Sequence, residues 1–403
     1  MTIHFPAPRM AGIAASPASV LRKRAQELRS AGRDVIELSS GNLHFATPDH
    51  VIAAAHDAAL RGDTGYTNVD GTPALKDAVR ATLWRQNGLD YGRDEIVVTT
   101  GTTQAIFNAL FATLAPGDEV IVPAPYWAPY LDQVRLAHGI PVIVPCSRAS
   151  GFKLRPEDLD AAITERTRWV ILNNPVNPSG AVYSPAELAA LADVLLRYPD
   201  VWIIADGLYE HIVFDGRRAA TLAEVEPRLR ARTLTVGGVA KSYAMMGWRI
   251  GYAGGPARLI REMVKIQSQT TSCASSISQA AALAALTGPQ QLLQERAAEL
   301  AGNGEAFADL LNGCDRLSCR RPEGTFYLVA DCAGWIGRRT ASGATLATDR
   351  NVAAWLLDAA DVTVFPGTDF GLSPAFRVSF ALPPATIETA GRRIQRACAE
   401  LLP

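Results

Sequence analysis

The chain has 403 residues, 48% of them apolar, and its 39 Lys and Arg against 40 Asp and Glu leave a formal charge of −1. That length exceeds what one core usually serves, so two domains are expected; without a long basic run a nucleic-acid partner is excluded, and a small-molecule ligand is expected instead. No apolar stretch reaches the roughly 18 residues of a membrane span, and Met1 to Ser19 holds no run of signal-peptide length, so the expected location is cytoplasmic, with no membrane partner.

After a tail rich in Pro and Ala, the spacing of Leu21, Ala25 and Leu28 predicts a helix over Ser19 to Ala31, with Gly32 at its C-cap. From Glu95 short apolar runs alternate with helical stretches. The runs are Ile96 to Thr99, Val120 to Val122, Val142 to Val144, Val170 to Leu172 and Trp202 to Ala205, and the helices include Ala105 to Leu114 and Ala186 to Leu196. Strands apolar on both faces, set between helices, predict an α/β fold with a mostly parallel sheet covered on both sides. Thr233 to Val236 and Ile250 to Ala253 extend that sheet. From about Gly288 the pattern changes to a long helix rich in Gln and Glu, strands at Phe326 to Ala330, Val362 to Phe365 and Phe376 to Phe380, and a closing helix from Pro384. This reads as a smaller α+β domain. The six cysteines are scattered, with no paired Cys-x-x-Cys spacing and no nearby His; they read as free buried thiols, and no metal site is expected.

Four places along this pattern carry chemistry. Val98-Thr-Thr-Gly-Thr-Thr-Gln104 turns from a strand through Gly101 into a helix, aiming free N–H groups and the positive helix end at one point, where phosphate fits. A plain capped turn reads the same. Asn173-Asn-Pro-Val-Asn-Pro-Ser-Gly180 and Asp206 each end a strand at the carboxyl edge, where open α/β sheets bind ligands; turn formation alone is the alternative for both. Lys241, in Gly237-Gly-Val-Ala-Lys-Ser-Tyr243, has small and apolar neighbours that favour a lowered pKa and a free amine, although most lysines are solvated surface charges.

Taken in order, Gly101-Thr-Thr, Trp127, Asn177-Pro, Asp206 with Tyr209, Lys241, Arg249 and Arg377 resemble the class I, fold type I aminotransferases, and more closely the bacterial aspartate and prephenate branch. Further supporting words are Tyr66-Thr-Asn-Val-Asp-Gly71, Pro116-Gly-Asp-Glu-Val-Ile-Val-Pro123, Pro125-Tyr-Trp127, Tyr209-Glu-His211 and Gly247-Trp-Arg-Ile-Gly-Tyr252. The resemblance runs from about Ser19 to the C-terminus. It implies pyridoxal 5'-phosphate as cofactor, held by Lys241 as a Schiff base. Lys241 then serves as nucleophile and general base, and Asp206 faces the pyridine nitrogen. Asn177 and Tyr209 would hydrogen-bond the phenolic oxygen, and Trp127 would stack on the ring. Gly101, Thr102, Thr103 and Arg249 would hold the phosphate, with Tyr66 reaching over from the second subunit of a homodimer. Arg377 would grip the substrate α-carboxylate, with Gly41 approaching through its backbone. Implied boundaries are 1–45 for the arm and part of the small domain, 46–290 for the large cofactor domain and 291–403 for the small C-terminal domain.

The chain departs from the family pattern at informative positions. Members preferring aspartate often carry Lys where Thr103 stands. The usual Gly-Glu-Pro-Asp-Phe stretch is Gly41-Asn-Leu-His-Phe45 here, which puts His44 forward as a substrate contact beside a plain loop histidine. Ala240 replaces a common phosphate-binding Ser, Gly207 an acid and Met246 a Thr. The expectation is an aminotransferase acting between an L-amino acid other than aspartate and a 2-oxo acid, specialised toward secondary metabolism. The same residues serve β- or γ-elimination, replacement or cyclisation. A cofactor-binding regulator would need a DNA-binding segment, and the enzyme-like region fills nearly the whole chain.

Overall fold

The computed structural model describes residues 5–13 and 18–402. The tail reading at residues 1–4 and 14–17 lies outside them. Strands in chain order are β1 (Ile36–Glu37), β2 (Ile96–Thr99), β3 (Glu119–Ala124), β4 (Ile140–Pro145), β5 (Thr167–Asn173), β6 (Trp202–Asp206), β7 (Thr233–Gly238), β8 (Gly251–Gly254), β9 (Ser318–Cys319), β10 (Tyr327–Asp331), β11 (Val362–Thr363), β12 (Phe365–Pro366) and β13 (Ala375–Ser379).

Strands β2 to β8 form a seven-stranded sheet in the order β2-β8-β7-β6-β5-β3-β4. Every pairing is parallel except those of β8, which runs antiparallel to both neighbours. The strands β2, β6 and β7 are almost entirely buried, as their two-sided apolar sequences require when helices cover both faces. Strand β4 is one edge of the sheet and β2 the other, and the Pro141 and Pro145 of β4 suit a position with no neighbour on one side.

A second core gathers Leu300, Phe307, Trp335, Leu356, Phe376 and Phe380 around the four-stranded sheet β12-β13-β10-β9, and it takes in Ile36, Leu38 and Leu43 from the start of the chain. The predicted single strand Val362 to Phe365 is split. Val362 and Thr363 pair parallel with β1, whereas Phe365 and Pro366 pair antiparallel with Arg377 and Phe376. Two edges draw on one extended segment, so the chain changes sheet at Val364. The first helix spans Ala18–Ser30, the long polar one Gln291–Asn312 and the closing one Pro384–Ala399. All six cysteines are free, and none of the described helices is long and apolar enough to cross a membrane.

Candidate active site

The order of the large sheet reverses at β3, which has β4 on one side and β5 on the other. Loops leaving the carboxyl ends of β3 and β5 therefore open a crevice. Pairing of Asn173 with Asp206 brings the ends of β5 and β6 level. The Asp206 carbonyl accepts hydrogen bonds from Asn174 N at 3.0 Å and Asn173 Nδ2 at 2.9 Å, which lashes the Asn-rich turn to the next strand end. In that turn Asn177 N donates to Asn173 Oδ1 at 2.7 Å, fixing the direction of the Asn177 amide.

Asp206 is buried. Its Oδ2 accepts from Tyr130 Oη at 2.5 Å and its Oδ1 from Leu208 N at 3.1 Å, yet burial still raises its pKa above the usual carboxylate value. Among the described residues it forms no ion pair. A desolvated carboxylate of this kind suits a cationic ring nitrogen brought by a ligand.

Lys241 follows β7, and its Nζ donates to Gly41 O at 2.7 Å. Burial lowers its pKa; Arg377 and Arg249 push the same way, against an opposing influence of Tyr327. The amine is thus biased toward the neutral, nucleophilic form. Gly41 has little room to be anything else, since an added Cβ would stand 3.1 Å from Tyr327 Oη and 3.4 Å from Lys241 Nζ.

The helix Thr102–Thr113 points its N-terminus at the same space. Gly101 caps it at φ +82°, and a Cβ there would lie 2.4 Å from Arg249 Nη2. Arg249 itself is held at φ 56°, with Nη1 donating to Met246 O at 3.0 Å. Free N–H groups at a helix start, two threonine hydroxyls and a guanidinium make a donor set suited to phosphate. Ala240 lines the cavity without adding a hydroxyl.

Arg377 projects from β13 into the opposite wall. Nη1 donates to Asn177 Oδ1 at 3.2 Å and Nη2 to Ser39 O at 3.1 Å, while Nε has no partner. Its guanidinium carbon lies 4.1, 4.8 and 4.7 Å from the ring centres of Tyr327, Phe365 and Phe370. This aromatic cage orients a buried cation that suits a planar carboxylate. Asn177 Nδ2 also donates to Tyr209 Oη at 3.3 Å, and the Trp127 ring meets Tyr130 edge-on at 5.3 Å.

Lys241, Asp206, Tyr209, Asn177, Trp127, Gly101, Thr102, Thr103, Arg249, Arg377 and Gly41 all line one cavity of about 810 Å³. Two sequence candidates stand apart from it. Tyr66 is 92% exposed on the surface. His44 turns away: its Nε2 meets Glu299 Oε1 at 2.7 Å, so a partner 255 residues further along the chain takes the ring from the substrate side. Leu43 is buried in the second core, replacing an interaction at the entrance with packing. Sequence reasoning passed over Tyr130, Tyr327, Ser39 and Asp369, all cavity-lining. Only Tyr130 left a trace, standing one helical turn after Trp127.

Residues 33–394 match the family described as aminotransferase class I and II. An aspartate aminotransferase of Rhizobium meliloti (strain 1021) is 52% identical over 396 residues, covering 98% of this chain and 97% of the relative. An aspartate/prephenate aminotransferase of Cereibacter sphaeroides is 49% identical, with 97% and 98% covered. The crystal structure of the aspartate aminotransferase from Rhizobium meliloti superposes with a TM-score of 0.96 at 51% identity, covering 99% of this chain and 100% of that one. A single mutant of Thermus thermophilus aspartate aminotransferase gives 0.90 at 36%, with 98% and 100% covered.

Proposed function

The chain belongs to the class I and II aminotransferase family, as a fold type I, pyridoxal-phosphate-dependent transferase, and from that premise we propose that its amino donor is an L-amino acid without a second carboxylate. The supporting observation is the commitment of the cavity's cations. Of the four that line it, Arg135 is paired with Asp132 at 3.1 Å. Lys241, Arg249 and Arg377 are assigned to the cofactor aldehyde, its phosphate and the α-carboxylate. Thr103 offers only a hydroxyl, so among the described residues that line the cavity no cation remains for a distal carboxylate.

Bound pyridoxal phosphate supplies an electron sink for the carbanion left when the α-proton departs. The chain supplies the rest. Lys241 would hold the cofactor through its aldehyde carbon and, as a neutral base in a desolvated site, would move the proton between the substrate α-carbon and the C4' carbon. Asp206 would hold the ring nitrogen protonated, with Tyr130 fixing the carboxylate that does so. Asn177 and Tyr209 would donate toward the phenolic oxygen, and Trp127 would cover the ring face. Arg377 takes the α-carboxylate in two parallel hydrogen bonds, which orients the α-C–H bond toward Lys241.

We also propose the domain division at residues 45 and 290, and a cytoplasmic homodimer in which the partner's Tyr66 reaches the phosphate; the full exposure of this phenol supports the latter. Loss of acids from the Gly41–Phe45 segment supports a specialised, secondary-metabolic substrate. The test is to mix the cofactor-loaded enzyme with single L-amino acids and identify the 2-oxo acid formed by mass. Preference for aspartate over every neutral or basic amino acid would overturn the substrate reading.

A further inference from the structure

Resting on the assignment of Lys241 as the lysine that holds the cofactor, we propose that His44 is a positioning residue for it: with Glu299 and Arg296 it clamps the segment Gly41–Phe45 against the Lys241 side chain. That segment meets Lys241 on two sides. In front, Gly41 O accepts from Lys241 Nζ at 2.7 Å. Behind, Leu43 and Phe45 share with Lys241, Ser242 and Arg296 the lining of a small void. A shift of the segment therefore moves both the acceptor of the amine and the wall behind its stem.

No proline fixes φ within Gly41-Asn-Leu-His-Phe45, so its path depends on what its groups hold. Leu43 is buried in the second core, but apolar packing is non-directional. Direction comes from hydrogen bonds: His44 N donates to Ala381 O at 3.1 Å, and His44 Nε2 meets Glu299 Oε1 at 2.7 Å. Among the described residues the latter is the one hydrogen bond made by a side chain of this segment. Glu299 stands on the helix Gln291–Asn312, and one turn earlier Arg296 reaches the same stretch of chain. Arg296 Nη2 donates to Ala46 O at 2.6 Å, and its guanidinium carbon lies 5.0 Å from the Phe45 ring centre. Arg296 Nη1 donates to Ser242 O at 3.4 Å, next to Lys241 in the chain. One helix thus grips both the segment and the backbone beside Lys241, which sets the distance between Gly41 O and the amine. His44 acts on the reaction through Gly41 and lies outside the cavity.

The test is a pH titration of the lysine-linked cofactor's absorbance in the holoenzyme, with kcat and Tm measured on the same samples. Wild type is compared with His44→Ala, Glu299→Ala and His44→Gln, whose amide can set an N–H where the imidazole Nε2 stands. Burial is the largest cause of the lowered Lys241 pKa, so a loosened segment that admits water moves the midpoint upward. Tyr327, Arg377 and Arg249, which also bear on the amine, are unaltered in all three variants. The expected result is a midpoint raised by about half a pH unit or more in both alanine variants, with kcat about three- to tenfold lower, and a return toward wild type in His44→Gln. A lower Tm with midpoint and kcat unmoved would reduce His44 to a structural role. A shift in His44→Ala without one in Glu299→Ala, or no recovery in His44→Gln, would each overturn the clamp. If His44→Ala does not fold, Glu299→Ala, at a side chain 41% exposed, and His44→Gln still decide. Unmoved variants beside a wild type with a lysine-linked absorbance sink this inference alone; a wild type with no such absorbance sinks the assignment of Lys241 as well.

Discussion

Asn177 bridges Arg377 and Tyr209: its Oδ1 accepts from the guanidinium at 3.2 Å and its Nδ2 donates to the phenol at 3.3 Å. One amide thus couples the group assigned to the substrate carboxylate with the group assigned to the cofactor's phenolic oxygen. Asn177→Ala removes both contacts and leaves a buried cation short of an acceptor. A fall in kcat/KM of about 10- to 100-fold is expected, with KM rising and the absorbance of the lysine-linked cofactor shifting. An unchanged spectrum together with an unchanged KM would detach Asn177 from both roles.

Gly101→Ala asks a residue with a side chain to adopt φ +82° and sets its Cβ 2.4 Å from Arg249 Nη2. Backbone strain of about 1–3 kcal/mol and displacement of the guanidinium both act against the phosphate. Spectrophotometric titration of the apoenzyme should show cofactor affinity reduced at least about tenfold. Undiminished affinity would mean that the phosphate does not rest on this turn.

Much of this scaffold was legible beforehand because two-sided apolar strands between helices admit few arrangements. Trp202 to Ala205, for example, is almost the whole of β6, and Asp206 closes it. What escaped depended on contacts between distant segments. The break of Val362 to Phe365 between two sheets needs β1 and β13 as competing partners, and neither is visible from the apolar run itself. His44 sits in the right loop, but its direction is set by Glu299, and no local pattern encodes that pairing. Tyr327 and Asp369 came from a region read for its strands, its two helices and Arg377. Chemistry at strand ends was readable because position along the strand fixes it; at the cavity's far wall only Arg377 was read, and Tyr327 and Asp369 beside it were not.

Two neighbouring residues give opposite responses to pH. Burial, and then the Glu224 charge, raises Glu210 from the usual 4.5 to about 8, so the folded state holds this proton more tightly than the unfolded chain. Its contribution is complete below about pH 4.5 and is lost as pH rises through about 8. Burial lowers His211 from 6.5 to about 4, so its contribution is present above about pH 6.5 and lost as pH falls through about 4. Glu210→Gln should therefore gain denaturant resistance over wild type on moving from pH 5 to pH 9. Parallel curves across that range would show that Glu210 ionises normally in the fold.

Composite sites make a specific demand on mixed dimers. Lys241→Ala and Tyr66→Ala homodimers should each be impaired, and unfolding and refolding them together should restore activity, because one site of the hybrid then has both wild-type residues. No recovery, or a monomer in sedimentation, would contradict a site shared between subunits.

The most direct measurement is a single-turnover reaction of the cofactor-loaded enzyme with an L-amino acid, following cofactor absorbance and product mass together. Conversion to the pyridoxamine form with release of the matching 2-oxo acid, reversed by adding a 2-oxo acid and absent in Lys241→Ala, is the predicted result. Consumption of the amino acid while the cofactor keeps its lysine-linked spectrum and no amino group is transferred would contradict transamination, and an unaltered lysine-linked spectrum in Lys241→Ala would contradict the assignment of Lys241 itself.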